Sequence, residues 1–326
     1  MIKDKKILRL PKIDLHCHLD GSLRMGCVEE LLGRKVEEKE LRVSSDCRDL
    51  AEYLEKFDLP LSLLQTEKSL KQASKDFLLS LQEDNVKYVE VRFAPLLSVN
   101  ERLSCDRVIE SVLDGLKEAK EICDIDYGVI VCAMRHHKEE DSLKMFRVAR
   151  NYLSDGVCAG DLAGNEAAYP MEKFRGLFTH VNNWGMPFTI HAGECGRAEN
   201  IKEAILVGAK RVGHGIAMSH NEEIKRLCKE NRIGIEMCPI SNEQTKSVSD
   251  MHFYPMKEFL QEGLLVTINT DNRTVSNTSI QKEMGYVQTN LQISEEELYR
   301  MTKNAIEVSF AKEEVKEKLL RTIKEA

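Results

Sequence analysis

Two histidines separated by a single residue, His16 and His18, end an apolar run near the start of the chain. Side chains of a β-strand alternate between two faces, so both imidazoles leave the same face of that strand. Two neutral imidazoles side by side on a rigid strand supply half of a metal site. The pair is equally compatible with two unrelated surface histidines, and the spacing alone does not decide between these interpretations.

Further polar residues stand at the ends of later apolar runs. They are Asp161 and Gly164 in GDLAG, His191 and Glu194 in HAGE, His214 in RVGHG, and Asp271 and Asn272 in NTDN. If these runs are parallel strands of one barrel, their C-terminal ends meet at a single rim, where barrel enzymes build their active sites. The shared position therefore favours a metal site over scattered surface residues.

Three histidines and one aspartate form a complete ligand set. Its members are His16, His18, His191 and Asp271. Three imidazole nitrogens and one carboxylate oxygen suit a borderline divalent cation, with zinc favoured. A remaining open position would hold water, and zinc lowers the pKa of a bound water to about 7. The sequence thus predicts a hydrolytic metal centre that works at neutral pH.

His214 and Glu194 are left beside this set as a candidate acid/base pair. Each also has a plainer interpretation: His214 as a core histidine bonded to the backbone, and Glu194 as a carboxylate at a helix N-terminus.

His136 and His137 follow another apolar run but have no partner at ligand spacing. Cys17 lies between the two histidines of the first run and therefore points to the opposite face of the strand.

The composition is that of an ordinary globular protein. Among 326 residues, 42% are apolar and 31% are charged, and the net charge is −7. No segment is dense in Lys and Arg with interleaved aromatics, so nucleic acid is an unfavourable partner. The ten cysteines include no CxxC pair and predict reduced thiols. Because the charged N-terminus does not resemble a signal peptide and no apolar run is long enough to span a membrane, we expect a cytoplasmic protein.

Eight short apolar runs alternate with longer segments of helical period. The predicted strands are Lys12–His18, Val86–Ala94, Tyr127–Met134, Gly156–Leu162, Pro187–His191, Arg211–Gly215, Ile233–Cys238 and Leu264–Asn269. Such alternation predicts an α/β protein with a parallel sheet, and eight units predict a (β/α)8 TIM-type barrel that takes up residues 1–326 as one domain. Two medium domains or an open doubly wound sheet are the alternatives, but no glycine-rich phosphate turn follows the first strand.

The longest insertion follows the first predicted strand and runs from about Cys27 to Asn85. Its segment Leu50–Leu64 has apolar residues at helical spacing, and we expect Pro60 to break the helix. The segment is either an outer helix of the barrel or a lid over its mouth. Near the C-terminus, Ser294 and Glu297 have the spacing of a capping box and predict the start of a helix.

Together these motifs resemble the adenosine/AMP deaminase family of the amidohydrolase superfamily. The resemblance runs from IDLHCHLDGSL through GDLAGNE, TIHAGE, RVGHGI and EMCPISN to NTDN, in the family's order and over essentially the whole chain. It implies a (β/α)8 barrel with one catalytic zinc ion per chain, held by the ligand set named above. It also implies hydrolytic removal of the 6-amino group of a purine as ammonia.

The resemblance further implies roles for individual residues. His214 would orient and deprotonate the attacking water, and Glu194 would share a proton with purine N1. The implied substrate contacts are His18, Asp20 (to a ribose hydroxyl), Gly164 (backbone amide to N3) and Asn272. Aspartate at position 20 resembles the branch specific for adenosine, whereas the related adenine deaminases have glutamate there.

One departure from the family pattern follows the last predicted strand. The family reads Asp-Asp-Pro where this chain has Asp271, Asn272 and Arg273. The second aspartate of the family contacts purine N7, an acceptor, so that carboxyl group must carry a proton. An asparagine amide donates without protonation. We therefore expect Asn272 to keep the N7 contact and to remove one titrating group, whereas no role for Arg273 follows from the sequence.

Several functions remain open at this point. The leading hypothesis is deamination of adenosine and 2′-deoxyadenosine, small-molecule purine nucleosides. The nearest alternative is deamination of another 6-aminopurine, such as adenine or aminodeoxyfutalosine. A barrel metallohydrolase for esters or amides is more distant, and so is a nucleoside-binding protein without catalysis, because every presumed ligand and both acid/base residues are present. The sequence does not give the oligomeric state.

Overall fold

The computed structural model describes residues 9–44, 47–48, 50–195 and 197–325. Its strands form two parallel four-stranded sheets, in the orders β1-β2-β3-β4 and β5-β6-β7-β8. The strands are β1 Lys12–His18, β2 Val86–Phe93, β3 Asp126–Met134, β4 Val157–Ala163, β5 Thr189–Ala192, β6 Arg211–His214, β7 Gly234–Met237 and β8 Leu265–Ile268. Every end lies within two residues of its predicted position.

The two sheets are joined to each other along both edges. At one edge His18 N donates to Asp271 O and Asp271 N donates to His16 O, both at 2.7 Å. At the other edge Gly160 N donates to Pro187 O at 2.9 Å. These parallel bridges connect β1 to the end of β8 and β4 to the start of β5. The α/β fold therefore has the (β/α)8 arrangement that the alternating pattern predicts.

Helices separate the successive strands and share one main apolar core with them. The α-helices are α1 Met25–Leu32, α2 Glu38–Leu41, α3 Leu50–Leu54, α4 Asp58–Leu63, α5 Glu67–Ser80, α6 Cys105–Lys120, α7 Glu139–Ala149, α8 Arg175–Asn183, α9 Ala198–Leu206, α10 Glu222–Glu230, α11 Pro239–Gln244, α12 Met256–Gln261, α13 Ile280–Leu291, α14 Glu295–Val308 and α15 Glu313–Glu325. The predicted capping box is confirmed: Ser294 Oγ accepts from Glu297 N at 3.2 Å, and Glu297 Oε2 accepts from Ser294 N at 2.8 Å.

The barrel interior holds charges as well as apolar groups. A buried ion network consists of Glu90, Arg92, Asp161, Arg211 and Glu236, each with no exposed side-chain surface. Arg92 donates to Asp161 and Glu236, both at 2.9 Å. Arg211 donates to Glu236 at 2.5 Å and also to Glu90. Because an unpaired buried charge is strongly unfavourable, each guanidinium requires these carboxylates.

The insertion after β1 contains α1 to α5. The predicted break at Pro60 is wrong, because Pro60 is the third residue of α4. The interruption is instead a 3₁₀ turn over Glu55–Phe57, between α3 and α4. Proline is tolerated in the first helical turn, where its missing N–H would have no helical partner.

One residue of the insertion reaches the loop after β8. Tyr53 of α3 is 1% exposed, and its hydroxyl lies 2.6 Å from Ser276 Oγ. Tyr53 also belongs to a small apolar cluster with Val275 of the same loop. Because loops after barrel strands surround the mouth of the barrel, this contact favours the lid interpretation for α3.

Within the described residues, no disulfide bond joins two cysteines. Seven of the ten are buried, and Cys195 is exposed. Within the part of the chain that the structure describes, no helix has both the length and the apolar character needed to cross a bilayer.

Candidate active site

The four predicted metal ligands lie together at the C-terminal rim of the barrel. Their donor atoms all lie within 4.8 Å of one another. His18 Nε2 is 3.2 Å from His191 Nε2, and Asp271 Oδ1 is 3.4 Å from both His16 Nε2 and His18 Nε2. Two donors that share one zinc ion through bonds of about 2.0–2.2 Å lie at most about 4.4 Å apart. The three separations fall within this limit, so these donors are close enough to bind one cation.

The protonation states of these groups also fit a cation. Within the described residues, His16 Nε2 is buried and has no hydrogen-bond partner. Burial lowers the pKa of His18 well below its ordinary value and lowers that of His191, which favours the neutral, metal-binding imidazole. Burial alone would raise the pKa of Asp271, but its close approach to His16 and to the other nearby histidines holds that pKa well below its usual range. The donor set therefore fits a divalent metal ion.

Two histidine ligands are oriented by carboxylates of the buried ion network. His16 Nδ1 lies 2.8 Å from Glu236 Oε2, and His191 Nδ1 lies 3.0 Å from Asp161 Oδ2. A ring nitrogen that donates to a carboxylate leaves the other nitrogen, Nε2, with its lone pair towards the donor cluster. The ion network therefore decides which nitrogen of each ring faces the metal position.

Asp271 is positioned by its backbone and by a side chain of α11. Ser241 Oγ donates to Asp271 Oδ2 at 2.6 Å, which leaves Oδ1 towards the histidines. Asp271 has φ 58° and His214 has φ 66°, both in the left-handed region that non-glycine residues rarely adopt. Such strain occurs at functional sites, where the surrounding structure holds a side chain in an otherwise unfavourable position.

His214 is buried beside the ligand cluster. Its ring centroid lies 5.1 Å from that of His16, and its Nδ1 lies 3.0 Å from Asn242 Nδ2. Tyr254 donates to Asn242 Oδ1 at 2.9 Å and so holds the amide in place. The Nε2 atom of His214 is directed to Glu194 Oε2, at 3.8 Å. The contacts are with functional side chains, so the plainer interpretation of His214 as a backbone-bonded core histidine is wrong.

Glu194 presents one carboxylate oxygen to His214. Its other oxygen, Oε1, accepts from Thr245 Oγ1 at 3.4 Å and from Ser247 Oγ at 3.3 Å. Glu194 also precedes α9, which begins at Ala198, by four residues. Because the helix dipole acts within the first turn, the interpretation of Glu194 as a helix-terminal carboxylate does not hold.

Two of the four predicted substrate contacts have unsatisfied polar atoms. Asp20 Oδ1 and Asn272 Oδ1 are buried without a hydrogen-bond partner among the described residues. Burial raises the pKa of Asp20 to about 6. A β-carbon at Gly21 would lie 2.0 Å from Asn272 Oδ1, so only glycine fits there. Gly164 follows β4 directly, with φ 101°. Buried polar atoms without partners are typical of a site that a ligand completes.

Arg273, which had no predicted role, is part of an ion pair. Its Nη2 donates to Asp84 Oδ2 at 2.7 Å, and both side chains are nearly buried, at 12% and 11% exposure. This pair ties the loop after β8 to the turn before β2.

His136 is exposed and His137 is half-buried, and their rings contact each other instead of the ligand cluster.

Sequence reasoning missed most of the residues that hold the ligands in place. They are Glu166, Glu236, Ser241, Asn242, Thr245 and Ser247, whereas Asp161 was identified as a rim residue without this role. A signal existed for Glu236, since a single acid inside the apolar run IGIEMC must find a buried partner. Ser241 and Asn242 lie in the EMCPISN segment, where small polar residues follow a strand end. Nothing in the local pattern distinguishes Thr245 or Ser247 from ordinary loop residues.

This combination of fold and site defines a barrel hydrolase with a metal centre at the C-terminal rim. The family model for adenosine deaminase matches residues 11–326. The chain belongs to the adenosine deaminase family.

Similar proteins span the whole chain. It is 38% identical to an adenosine deaminase of Enterococcus faecalis, over 100% of this chain and 99% of that protein. It is 40% identical to an adenosine deaminase of Clostridium botulinum strain Okra, over 97% of this chain and 98% of that protein. Among solved structures, an Arabidopsis N6-mAMP deaminase is 26% identical, with a TM-score of 0.88 over 99% of this chain and 100% of that chain. An adenine deaminase of Arthrobacter aurescens shares the fold, with a TM-score of 0.87 over 97% of this chain and 98% of that chain. Its sequence is 22% identical.

Proposed function

We propose that the protein catalyses the zinc-dependent hydrolytic deamination of adenosine and 2′-deoxyadenosine to inosine or deoxyinosine and ammonia. The observation that carries this proposal is the convergence of four metal donors with His214 and Glu194 at one rim. Membership of the adenosine deaminase family supports the choice of reaction.

Zinc would be held by three neutral histidines and one carboxylate. These residues are His16, His18, His191 and Asp271. When bound, zinc supplies the Lewis acidity that makes water a nucleophile at neutral pH. Zinc binds well to a nitrogen-rich donor set with one carboxylate, whereas Mg²⁺ and Ca²⁺ prefer sites made of oxygen ligands.

The chain's own residues move the protons. His214 Nε2 accepts a proton from the attacking water, and Glu194 Oε2 donates a proton to purine N1. When the C6–N6 bond breaks, His214 returns its proton to the amino group, which leaves as ammonia, and Glu194 takes back the proton of the new C6 hydroxyl. Because Thr245 and Ser247 donate to Oε1 of Glu194, the proton resides on Oε2. For Nε2 to accept, Nδ1 of His214 must carry hydrogen. The Asn242 amide then presents its oxygen to Nδ1, a half-turn from the orientation in the structure, and the Tyr254 hydroxyl accepts from the amide nitrogen instead of donating to the oxygen.

The remaining contacts favour a nucleoside. We assign Asp20 to a ribose hydroxyl, the Gly164 amide to N3, Asn272 to N7, and His18 to the substrate side of the metal. Because N7 is an acceptor, the contact with Asn272 requires the amide nitrogen, and not the unpartnered oxygen, to face the purine. A buried carboxylate at Asp20 would repel a 5′-phosphate, which favours adenosine over AMP. Adenine would leave Asp20 without its ribose partner and so is disfavoured. Aminodeoxyfutalosine remains the alternative substrate.

A substrate panel tests the proposal. Ammonia release and chromatographic product analysis are measured with adenosine, 2′-deoxyadenosine, adenine, AMP and aminodeoxyfutalosine, each with and without a chelator. We expect both nucleosides to be deaminated and the chelator to stop the reaction until zinc is restored. Preference for adenine would contradict the assigned ribose contact, preference for AMP would contradict the repulsion of a 5′-phosphate by Asp20, and preference for aminodeoxyfutalosine would replace adenosine by the alternative substrate. Turnover that survives complete metal removal would contradict the zinc mechanism.

We further propose that residues 1–326 act as one catalytic domain in the cytoplasm on a small-molecule substrate. The absence of a disulfide bond among the described residues supports a reducing compartment. A net charge of −7 disfavours nucleic acid as a partner.

A further inference from the structure

The loop after β5 carries two functional residues within four positions. His191 is a metal donor, Glu194 is the proposed proton donor, and only Ala192 and Gly193 separate them. Gly193 has φ 80°, and a β-carbon there would lie 2.5 Å from Ile201 Cδ1. The backbone therefore turns sharply between the two residues, and the direction of the Glu194 side chain depends on what holds this turn.

A single buried carboxylate binds the turn. Glu166 Oε1 accepts from Gly193 N at 2.7 Å, and its Oε2 accepts from Glu194 N at 3.0 Å and from Cys195 N at 3.4 Å. Asn200 Nδ2 donates to Oε1 at 2.7 Å and orients the carboxylate from α9. Glu166 is 4% exposed, so water does not compete for these bonds. Three consecutive amides on one anion fix both the position and the rotation of the turn.

A buried arginine holds the same loop from the other side. Arg135 Nη2 donates to His191 O at 2.7 Å, and its Nη1 donates to Tyr169 O at 2.5 Å. Tyr169 lies in the loop after β4 that also carries Glu166. The N–H groups of the turn are thus bound by an anion, and the preceding carbonyl is bound by a cation. This pairing leaves little freedom for the backbone on either side of Glu194.

We propose that Glu166 is a positioning residue for Glu194, through the three backbone amides that it binds. Without this anion the turn relaxes, and the Glu194 carboxyl loses its alignment with the substrate ring nitrogen. Displacements of about 1 Å in a catalytic group cost about 100-fold in rate. The proposal rests on the proposed function, in which Glu194 donates a proton to N1. Glu166 itself touches neither substrate nor metal in this account.

The variant Glu166→Gln tests the proposal. Glutamine has nearly the same shape as glutamate, but its side-chain nitrogen is a donor and cannot accept from the backbone N–H groups that one of the Glu166 oxygens binds. We expect kcat for adenosine to fall about 100-fold, with bound zinc unchanged. The affinity for 1-deazaadenosine, which has C–H in place of ring N1, should also be unchanged, because that ligand cannot use the Glu194 proton. The control is Asp126→Asn, which neutralises another nearly buried acid. Asp126 begins β3 and so lies at the end of that strand away from the C-terminal rim, and the variant should retain wild-type kcat.

A second variant guards against misfolding of the first. Asn200→Asp keeps the acceptor for Met171 N but replaces the donor to Glu166 by a repelling carboxylate. We expect the same pattern: a lower kcat with unchanged zinc content and unchanged 1-deazaadenosine affinity. Wild-type kcat in both variants would overturn the proposal, and so would parallel losses of kcat, zinc and 1-deazaadenosine binding, which indicate a purely structural role.

Glu194→Gln, measured in the same series, separates this inference from the function on which it rests. If Glu194→Gln retains kcat, Glu194 is not the proton donor, and Glu166 then has no catalytic group to position. If Glu194→Gln loses kcat while the Glu166 and Asn200 variants retain it, only the positioning role is refuted.

Discussion

Removal of the Ser241 hydroxyl is expected to weaken metal binding although every ligand remains. Ser241 Oγ donates to Asp271 Oδ2 at 2.6 Å, and both side chains are nearly buried, so water cannot replace the bond. Hydrogen bonds to charged groups contribute about 1.5–3 kcal/mol, which corresponds to roughly 10- to 150-fold in affinity. Partners that orient metal ligands typically change affinity by about 10- to 100-fold. The dissociation constant for zinc in Ser241→Ala should therefore rise by about 10- to 100-fold.

Competition titration against a chromophoric zinc chelator measures this constant directly. The matched control is Ser80→Ala, because Ser80 is also buried and its Oγ donates at 2.6 Å, but to the neutral carbonyl of Phe77 in α5. Ser80→Ala should lose some stability and keep wild-type zinc affinity. If the two variants bind zinc equally well, the argument that the outer oxygen of Asp271 must be held is refuted.

Three further predictions follow from the site. His214→Ala should abolish turnover yet retain zinc, whereas His16→Ala should lose both, as measured by metal analysis and ammonia release; zinc loss in His214→Ala would contradict its placement outside the ligand set. Asn272→Asp replaces a permanent donor by a carboxyl that donates only when protonated, so kcat/KM should fall with rising pH where wild type is flat; superimposable pH profiles would refute the N7 contact. In the metal-free protein, burial raises the pKa of Asp20 to about 6. The wild-type stability is therefore fully present below the unfolded pKa of about 4, declines as the pH rises from there to about 6, and is constant above that. Asp20→Asn should therefore raise the unfolding free energy by up to about 3 kcal/mol near pH 8 and not near pH 4, and equal gains in denaturant titrations at both pH values would contradict this.

The elements and the convergence of the four candidate metal ligands were predictable because they have short-range signals. An alternating apolar run gives a strand, and a histidine or aspartate at its end gives a rim residue, as at His18 and His191. The break expected at Pro60 was wrong because the rule against proline applies to helix interiors, whereas this proline lies in a first turn. The contacts of Glu166 and Ser241 were not predictable, since they join segments from different strands and depend on three-dimensional register.

The buried ion network has a consequence for how the protein acquires its metal. Arg92 and Arg211 already hold Glu236 and Asp161, the two carboxylates that orient the histidine rings. The scaffold of the centre is therefore complete before any cation arrives, and loading is a separate event from folding. Stripped protein should keep its circular dichroism spectrum and accept cobalt(II), whose visible absorption would then report directly on the coordination sphere during turnover.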